Sequence, residues 1–598
     1  MKTSPSPSLF ARRLFVPFLL TLAAACGTAA GQEIDVDVSK GNSPFPITTN
    51  LTYQFVDVGE TGVGVVNHSA GNLTVTSTLT LGNQTGSNGT YNLTGGNITS
   101  VLEFVGNNGS GAFVQSGTST NAVSNFLGIG STGGTSTYTL NAGLLIVNNG
   151  TTAASESIGQ VGAATFTQAG GQHTVNPLGT FTLGDDAAGT YNLNGGTLTI
   201  SKLTRGTGTG TFNFNGGTLQ ANAATTTFFQ GLTVANVQAG GARLDSGNFA
   251  ITVAQNLTAD ATSAGGGLTK LGAGTLTLTG ANTYTGGTTF AAGSLNVGSA
   301  NAIGTAGTLS FTGGTLQYSA ANTTDYSARF SQAANQVYSV DTNGQNVAYA
   351  TGLNSTGGSL NKLGTGTLTL NATSAFTGST TVSGGTLTVN NNATTSLGRL
   401  SATSDVNIKS GGTLALAGSA AITDRINNAA TFTLNGGGTF VTGALTEGAV
   451  PALGGVGGLA GVGTLTLTGT TNASRATIDF GNTQTGSALV FSSLAAGGKG
   501  SFVNILGFTG TALADNGLPT NDRLLFATDP GFTRADLANW QFFNDAGTGY
   551  TTGGVEILFN GYFEIVPVPE PATTALMLAS ATLLGVGAWR RGKRKILA

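Results

Sequence analysis

Gly189-Thr190-Tyr191-Asn192-Leu193-Asn194-Gly195-Gly196 is answered 21 residues later by Gly210-Thr211-Phe212-Asn213-Phe214-Asn215-Gly216-Gly217. Both stretches place an aromatic, alternating polar and apolar residues, and a closing double glycine in the same order. Looser copies stand upstream at residues 89–96, 111–117, 137–143 and 165–171. Their aromatics, Tyr91, Phe113, Tyr138, Phe166, Tyr191 and Phe212, are spaced by 22, 25, 28, 25 and 21 residues. Repetition at that period marks a solenoid. Inside each unit the apolar residues alternate, as in Thr197-Leu198-Thr199-Ile200, which marks a strand with one buried face. Asn-Gly and Gly-Gly pairs supply the positive φ that tight corners need. A unit of this size cannot bury its apolar face alone, whereas a second coil stacked on it covers that face and pairs its backbone. The aromatic and Leu positions are therefore expected to stack as internal ladders.

A second repeat fills the middle of the chain. Leu268-Thr269-Lys270-Leu271-Gly272-Ala273-Gly274-Thr275-Leu276-Thr277-Leu278 returns 92 residues later as Leu360-Asn361-Lys362-Leu363-Gly364-Thr365-Gly366-Thr367-Leu368-Thr369-Leu370. Each copy continues into an aromatic-Thr-Gly segment at Tyr284 or Phe376. This pattern resembles the autotransporter-associated β-strand repeat. The resemblance implies a right-handed parallel β-helix and no particular activity. The expected fold is thus all-β: a parallel β-solenoid with a C-terminal cap, flanked by an N-terminal signal peptide and a single C-terminal transmembrane helix. Coils between residues 43 and 470 would number on the order of 18 to 20 and stack to roughly 90 Å.

The two ends read as addresses. Lys2, Arg12 and Arg13 precede an apolar stretch over residues 14–25, and small residues follow, so a secretory signal peptide is expected with cleavage at Ala30 or Gly31. Cys26, the sole cysteine, faintly resembles a lipidation site, although Ala23 stands where a leucine is usual. At the other end Val568-Pro569-Glu570-Pro571 opens an uncharged apolar run to Trp589, closed by Arg590, Arg591, Lys593, Arg594 and Lys595. As a helix that run rises about 27 Å, near the minimum for a bilayer core, and the basic cluster would stay cytoplasmic. This order resembles the PEP-CTERM sorting signal of Gram-negative bacteria, which exosortases read. The resemblance implies a signal peptidase and an exosortase as processing partners, inner-membrane transit, and delivery to the cell surface or matrix. An ordinary C-terminal anchor is the alternative.

The resulting division is a signal peptide at 1–30, a solenoid with 21–28-residue repeats at 31–255, a solenoid with autotransporter-type repeats at 256–470, a cap at 471–566 and a sorting tail at 567–598. Within the cap, residues 533–540 read as the one helix start, with Thr533 or Asp529 near the capping position.

Composition narrows the chemistry. Charged residues make up 8% of the 598, against about 25% in ordinary globular proteins. The net charge of −3 offers no basic face to nucleic acid. Enzymes on parallel β-helices need clustered carboxylates. Asp185-Asp186 is the only adjacent acidic pair in the coils, and it reads equally well as a turn. Asp522-Arg523 reads as a structural ion pair of the cap. His68 and His173 stand alone, without metal-ligand spacing. No cofactor is expected. The reading is an exported structural solenoid with no catalytic activity, in contact with exopolysaccharide. The alternatives are a polysaccharide-binding or polysaccharide-degrading β-helix, or an adhesin with an outward aromatic strip.

Overall fold

The computed structural model describes residues 32–568, apart from 148–153, 393, 420–422, 444, 449–460, 482–486, 509–521, 544–548 and 560–561. It is a parallel β-solenoid of about 18 turns with almost no helix. Each coil in its best-formed part contributes three strands. Gly189–Leu193, Thr197–Ile200 and Leu203–Thr204 make one coil; Gly210–Phe214, Thr218–Ala221 and Thr225–Phe229 make the next. Like strands pair in parallel between coils, with Tyr191 opposite Phe212, Leu198 opposite Leu219 and Leu203 opposite Phe229. The first of these three faces is a ten-stranded parallel sheet that opens at Phe45–Ile47 and closes at Thr258–Ala259.

Burial follows the alternation. Strand Thr197–Ile200 buries Leu198 and Ile200 and leaves its threonines half-buried. The repeat aromatics form the expected internal ladder. From Tyr91 to Phe212 the six rings are fully buried and stack at 4.6–5.2 Å between centroids, with planes within 6° of parallel. In-register pairing places like residues on top of one another, so the solenoid sets this stacking geometry automatically. The same register builds polar ladders outside. Asn92 donates to Asn67 at 2.9 Å, Asn213 to Asn192 at 2.8 Å and Asn236 to Asn213 at 2.9 Å.

Two expectations for the C-terminal region need adjustment. Parallel pairing does not stop near residue 470. It runs on through Ala488–Leu494 to Arg523–Phe526 on one face, and through Val503–Leu506 to Trp540–Phe543 on another. Antiparallel pairing between the described strands begins there: Gly549–Thr552 folds back on Trp540–Phe543, and Tyr562–Pro567 pairs with both Arg523–Phe526 and Gly554–Phe559. Reversal of strand direction ends the stack and covers its last open edge. The expected helix over 533–540 shrinks to one 3₁₀ turn, Asp536–Asn539. Thr533 and Asp536 cap one another there, but Trp540 returns at once to extended backbone to pair with Val503.

Candidate functional site

The charged residues that the solenoid buries are the departures from a plain apolar core. Lys270 and Lys362, the lysines of the middle repeat, occupy inward positions. Lys270 stacks between Leu244 and Phe290, and Lys362 between Val340 and Val382. Both are fully buried. The stem runs in the apolar column, and the ammonium turns back to the coil corner. Lys270 Nζ donates to the carbonyls of Leu271, Gly272 and Ala292 at 2.6, 2.8 and 3.1 Å. Lys362 Nζ donates to those of Leu363, Gly364 and Gly384 at 2.8, 2.8 and 3.0 Å. Three donors meet three acceptors, which satisfies an ammonium completely. Burial pushes both amines down to about 8, opposed by Asp245 for Lys270 and Asp341 for Lys362.

Those two aspartates explain the glycine of Lys-Leu-Gly. Gly272 and Gly364 adopt φ of +76° and +65°, and a Cβ on either would overlap Oδ1 of Asp245 or Asp341 from the preceding coil. Each aspartate is held by its own loop and by a glutamine. Gln220 donates to Asp245 at 2.9 Å and Gln317 to Asp341 at 2.8 Å. Sequence reading found the lysine and glycine but not the aspartate. Its signal was Asp245-Ser246-Gly247 and Asp341-Thr342-Asn343, about one coil ahead of each motif.

A second buried system lies in the N-terminal half. Tyr138 donates to Gln115 at 2.8 Å, and Asn121 bridges Tyr138 to both oxygens of Glu103 at 3.0–3.2 Å. Fifty-two or fifty-three residues on, the arrangement returns with histidine for asparagine. His173 lies 2.8 Å from Glu156 and 3.0 Å from Tyr191, which donates to Gln168 at 2.6 Å. His68 likewise meets Tyr91 at 3.0 Å. The histidines that sequence reading left isolated are therefore core partners of the tyrosine ladder. Burial raises Glu103 to about 7, and the charge of Glu156 adds to the shift. The glutamines two residues after alternate aromatics, Gln115 and Gln168, were the available clue.

The other candidates stay apart. Asp185 accepts from Ser157 and exposed Asp186 from Thr207, with backbone bonds that make a coil turn. Asp522 and Arg523 face different partners: Asp522 accepts from Ser487 and Arg523 pairs with Glu564 at 3.4 Å. At the N-terminal coil Glu33, Asp35 and Asp57 bring carboxylate oxygens within 4.8 Å of one another. Burial, with help from Glu60, Glu33 and Asp35, raises Asp57 to about 7, while Thr80 opposes the shift. Lys40 pairs with Asp35 at the edge of that cluster.

Of the sorting residues only Val568 is described, and its N–H donates to Gly553 O at 3.2 Å, tying it to the terminal hairpin. Pro569, Glu570, Pro571, the basic cluster Arg590, Arg591, Lys593, Arg594 and Lys595, the expected cleavage position at Ala30 and Gly31, and Cys26 lie outside the described residues. Among the described residues no helix is long and apolar enough to cross a membrane.

Residues 567–594 match the PEP-CTERM protein-sorting motif. The chain carries that sorting signal. Residues 268–297 and 360–389 match the passenger-associated-transport-repeat family, so the two lysine clamps lie in the two matched repeats. No curated protein and no solved structure matches the chain. The PEP-CTERM tail and the solenoid together make this an exported, cell-surface β-helix protein of a Gram-negative bacterium.

Proposed function

We propose that the protein is a mechanical element of the cell surface or extracellular matrix. It passes the inner membrane, is cut near Pro569 to Pro571 by an exosortase after a signal peptidase has removed the leader, and acts without a catalytic step. The observation that carries this reading is where the protein puts its titratable groups. The lysines, histidines and glutamates with the most developed hydrogen-bond networks are sealed in the coils, where they hold corners and ladders. The outer faces carry threonine and asparagine in register, a surface suited to a hydrated polysaccharide matrix. Continuous parallel pairing leaves few free backbone groups for proteases or for pairing with other chains.

Protease treatment of intact native cells tests the reading. A protease-resistant core from within residues 32–543 should appear in the medium without lysis. Release only after the envelope is broken would contradict surface placement.

A further inference from the structure

The third face of the early coils departs from the threonine-rich rule. Positions that alternate with the core residues of its strands form two in-register columns, the second of them buried except at Phe104. One runs Phe55, Thr78, Leu102, Phe126, and its neighbour runs Asp57, Thr80, Phe104, Gly128, Ser157. Phe55, Leu102, Phe104 and Phe126 are half-buried and alternate with core residues such as Val56, Glu103 and Leu127, so their side chains point outward. The rings of Phe104 and Phe126 lie 5.7 Å apart at 53°, which leaves parts of both faces open. The next coil carries Ser155 and Ser157 in the same columns, and the one after it Thr180 and Thr182. Two adjacent coils, through Leu102, Phe104 and Phe126, thus carry a local apolar platform on an otherwise polar wall, with Phe55 one threonine coil away.

Beside it, two polar oxygens lack partners. Gly128 sits in register between Phe104 and Ser157. Around the place where its side chain would stand converge Phe126 Cε1 at 2.7 Å, Ser131 Oγ at 3.0 Å and Gln160 Oε1 at 3.2 Å. Ser131 is 4% exposed, and neither its Oγ nor Gln160 Oε1 has a hydrogen-bond partner. A buried hydroxyl or amide oxygen left unmade is costly, so this pair has acceptor capacity for a polar group brought from outside the chain. The Phe126 ring edge and both oxygens thus crowd one point beside the platform.

We propose that this platform binds a neutral pyranose unit of a glycan chain. An aromatic surface matches the C–H face of a sugar ring, and the two oxygens match its hydroxyl groups: Gln160 Oε1 accepts, and Ser131 Oγ accepts or donates. Charge selects the neutral class. The platform has no cation among its own columns, and the Glu33–Asp35–Asp57 carboxylate cluster on one side and Asp185 on the other repel uronates and sulfated sugars. The site rests on the surface placement proposed above and adds a ligand to it. It is also a local form of the outward aromatic strip that distinguishes a binding solenoid from a bare rod.

The test is co-sedimentation of the full mature chain with insoluble cellulose, chitin and unsubstituted xylan, and with insoluble polygalacturonate as the acidic control. Retention on at least one neutral polymer is expected. Phe126→Ala and Phe104→Ala should each weaken it at least tenfold, with thermal unfolding unchanged because both rings lie outside the core. Gly128→Ala, which wedges Phe126 and the two oxygens apart, should weaken it as well. Retention on none of the neutral polymers, preference for polygalacturonate, or wild-type binding by Phe126→Ala would overturn the proposal. Concentration-dependent self-association abolished by Phe126→Ala would also overturn it, by making the platform a contact between copies. Export and C-terminal processing of Phe126→Ala in the native cell are scored separately, so failure of the glycan site leaves the surface reading standing.

Discussion

Replacing Lys362 by Met keeps the length of the stem in its apolar column and removes only the ammonium. The carbonyls of Gly364 and Gly384 then lose their donor, while that of Leu363 keeps the Thr342 N–H at 3.2 Å. Each buried acceptor left unpaired costs about 1–3 kcal/mol, and relief from burying a charge returns part of the sum. The net loss is about 3 kcal/mol. In a solenoid, stability is local, because each coil touches only its neighbours. The loss should therefore appear in amide hydrogen exchange as about a hundredfold fall in protection for strands Ser359–Leu363, Thr367–Leu370 and Ser379–Val382. Strand Ser136–Leu140, many coils away, should be unchanged. pH supplies a second readout. The folded amine lies near 8 while the unfolded one keeps its ordinary value of 10.5. Between those values the unfolded chain binds more protons, so stability rises with pH across that window, and Lys362→Met should remove its share of the rise. Unchanged protection around residue 362, or an equal loss along the whole rod, would refute the clamp.

Other consequences follow from the same geometry. Gly364→Ala should cost about 2 kcal/mol in chemical denaturation of the middle repeats through its positive φ and its collision with Asp341, and adding Asp341→Gly should recover part of it. Glu103, raised to about 7, stays protonated in the fold at pH values where the unfolded chain has ionised. Stability of the N-terminal coils should fall between about pH 4.5 and 7 by up to about 3 kcal/mol, and Glu103→Gln should flatten that slope in urea titrations. Phe113→Ala opens a gap between Tyr91 and Tyr138 and should cost about 3–5 kcal/mol, seen as lost exchange protection confined to the neighbouring coils.

The repeat period and its alternation made the solenoid legible in the sequence, because in a stacked coil one unit's pattern is every unit's pattern. The ladder from Tyr91 to Phe212 could be named in advance for that reason. The buried charges could not. Lys270 reads as a surface residue until its place in the column of Leu244 and Phe290 is known, and Glu103 and Glu156 carry no local mark of burial. Each takes a partner from another coil, 17 to 22 residues away, so that contact depends on register. The cap boundary was misplaced because residues 471–543 lose the glycine-rich repeat signature while keeping the parallel pairing. The expected helix at 533–540 failed because local capping by Thr533 and Asp536 competed with a full strand partner for Trp540, and the sheet prevailed.

Intact mass and C-terminal peptide mapping of the protein recovered from its native cells would bear most directly on the surface assignment. A terminus near Pro569 to Pro571, with the chain in the outer envelope or matrix fraction, is the predicted result. A chain ending at Ala598 and held in the inner membrane would contradict it.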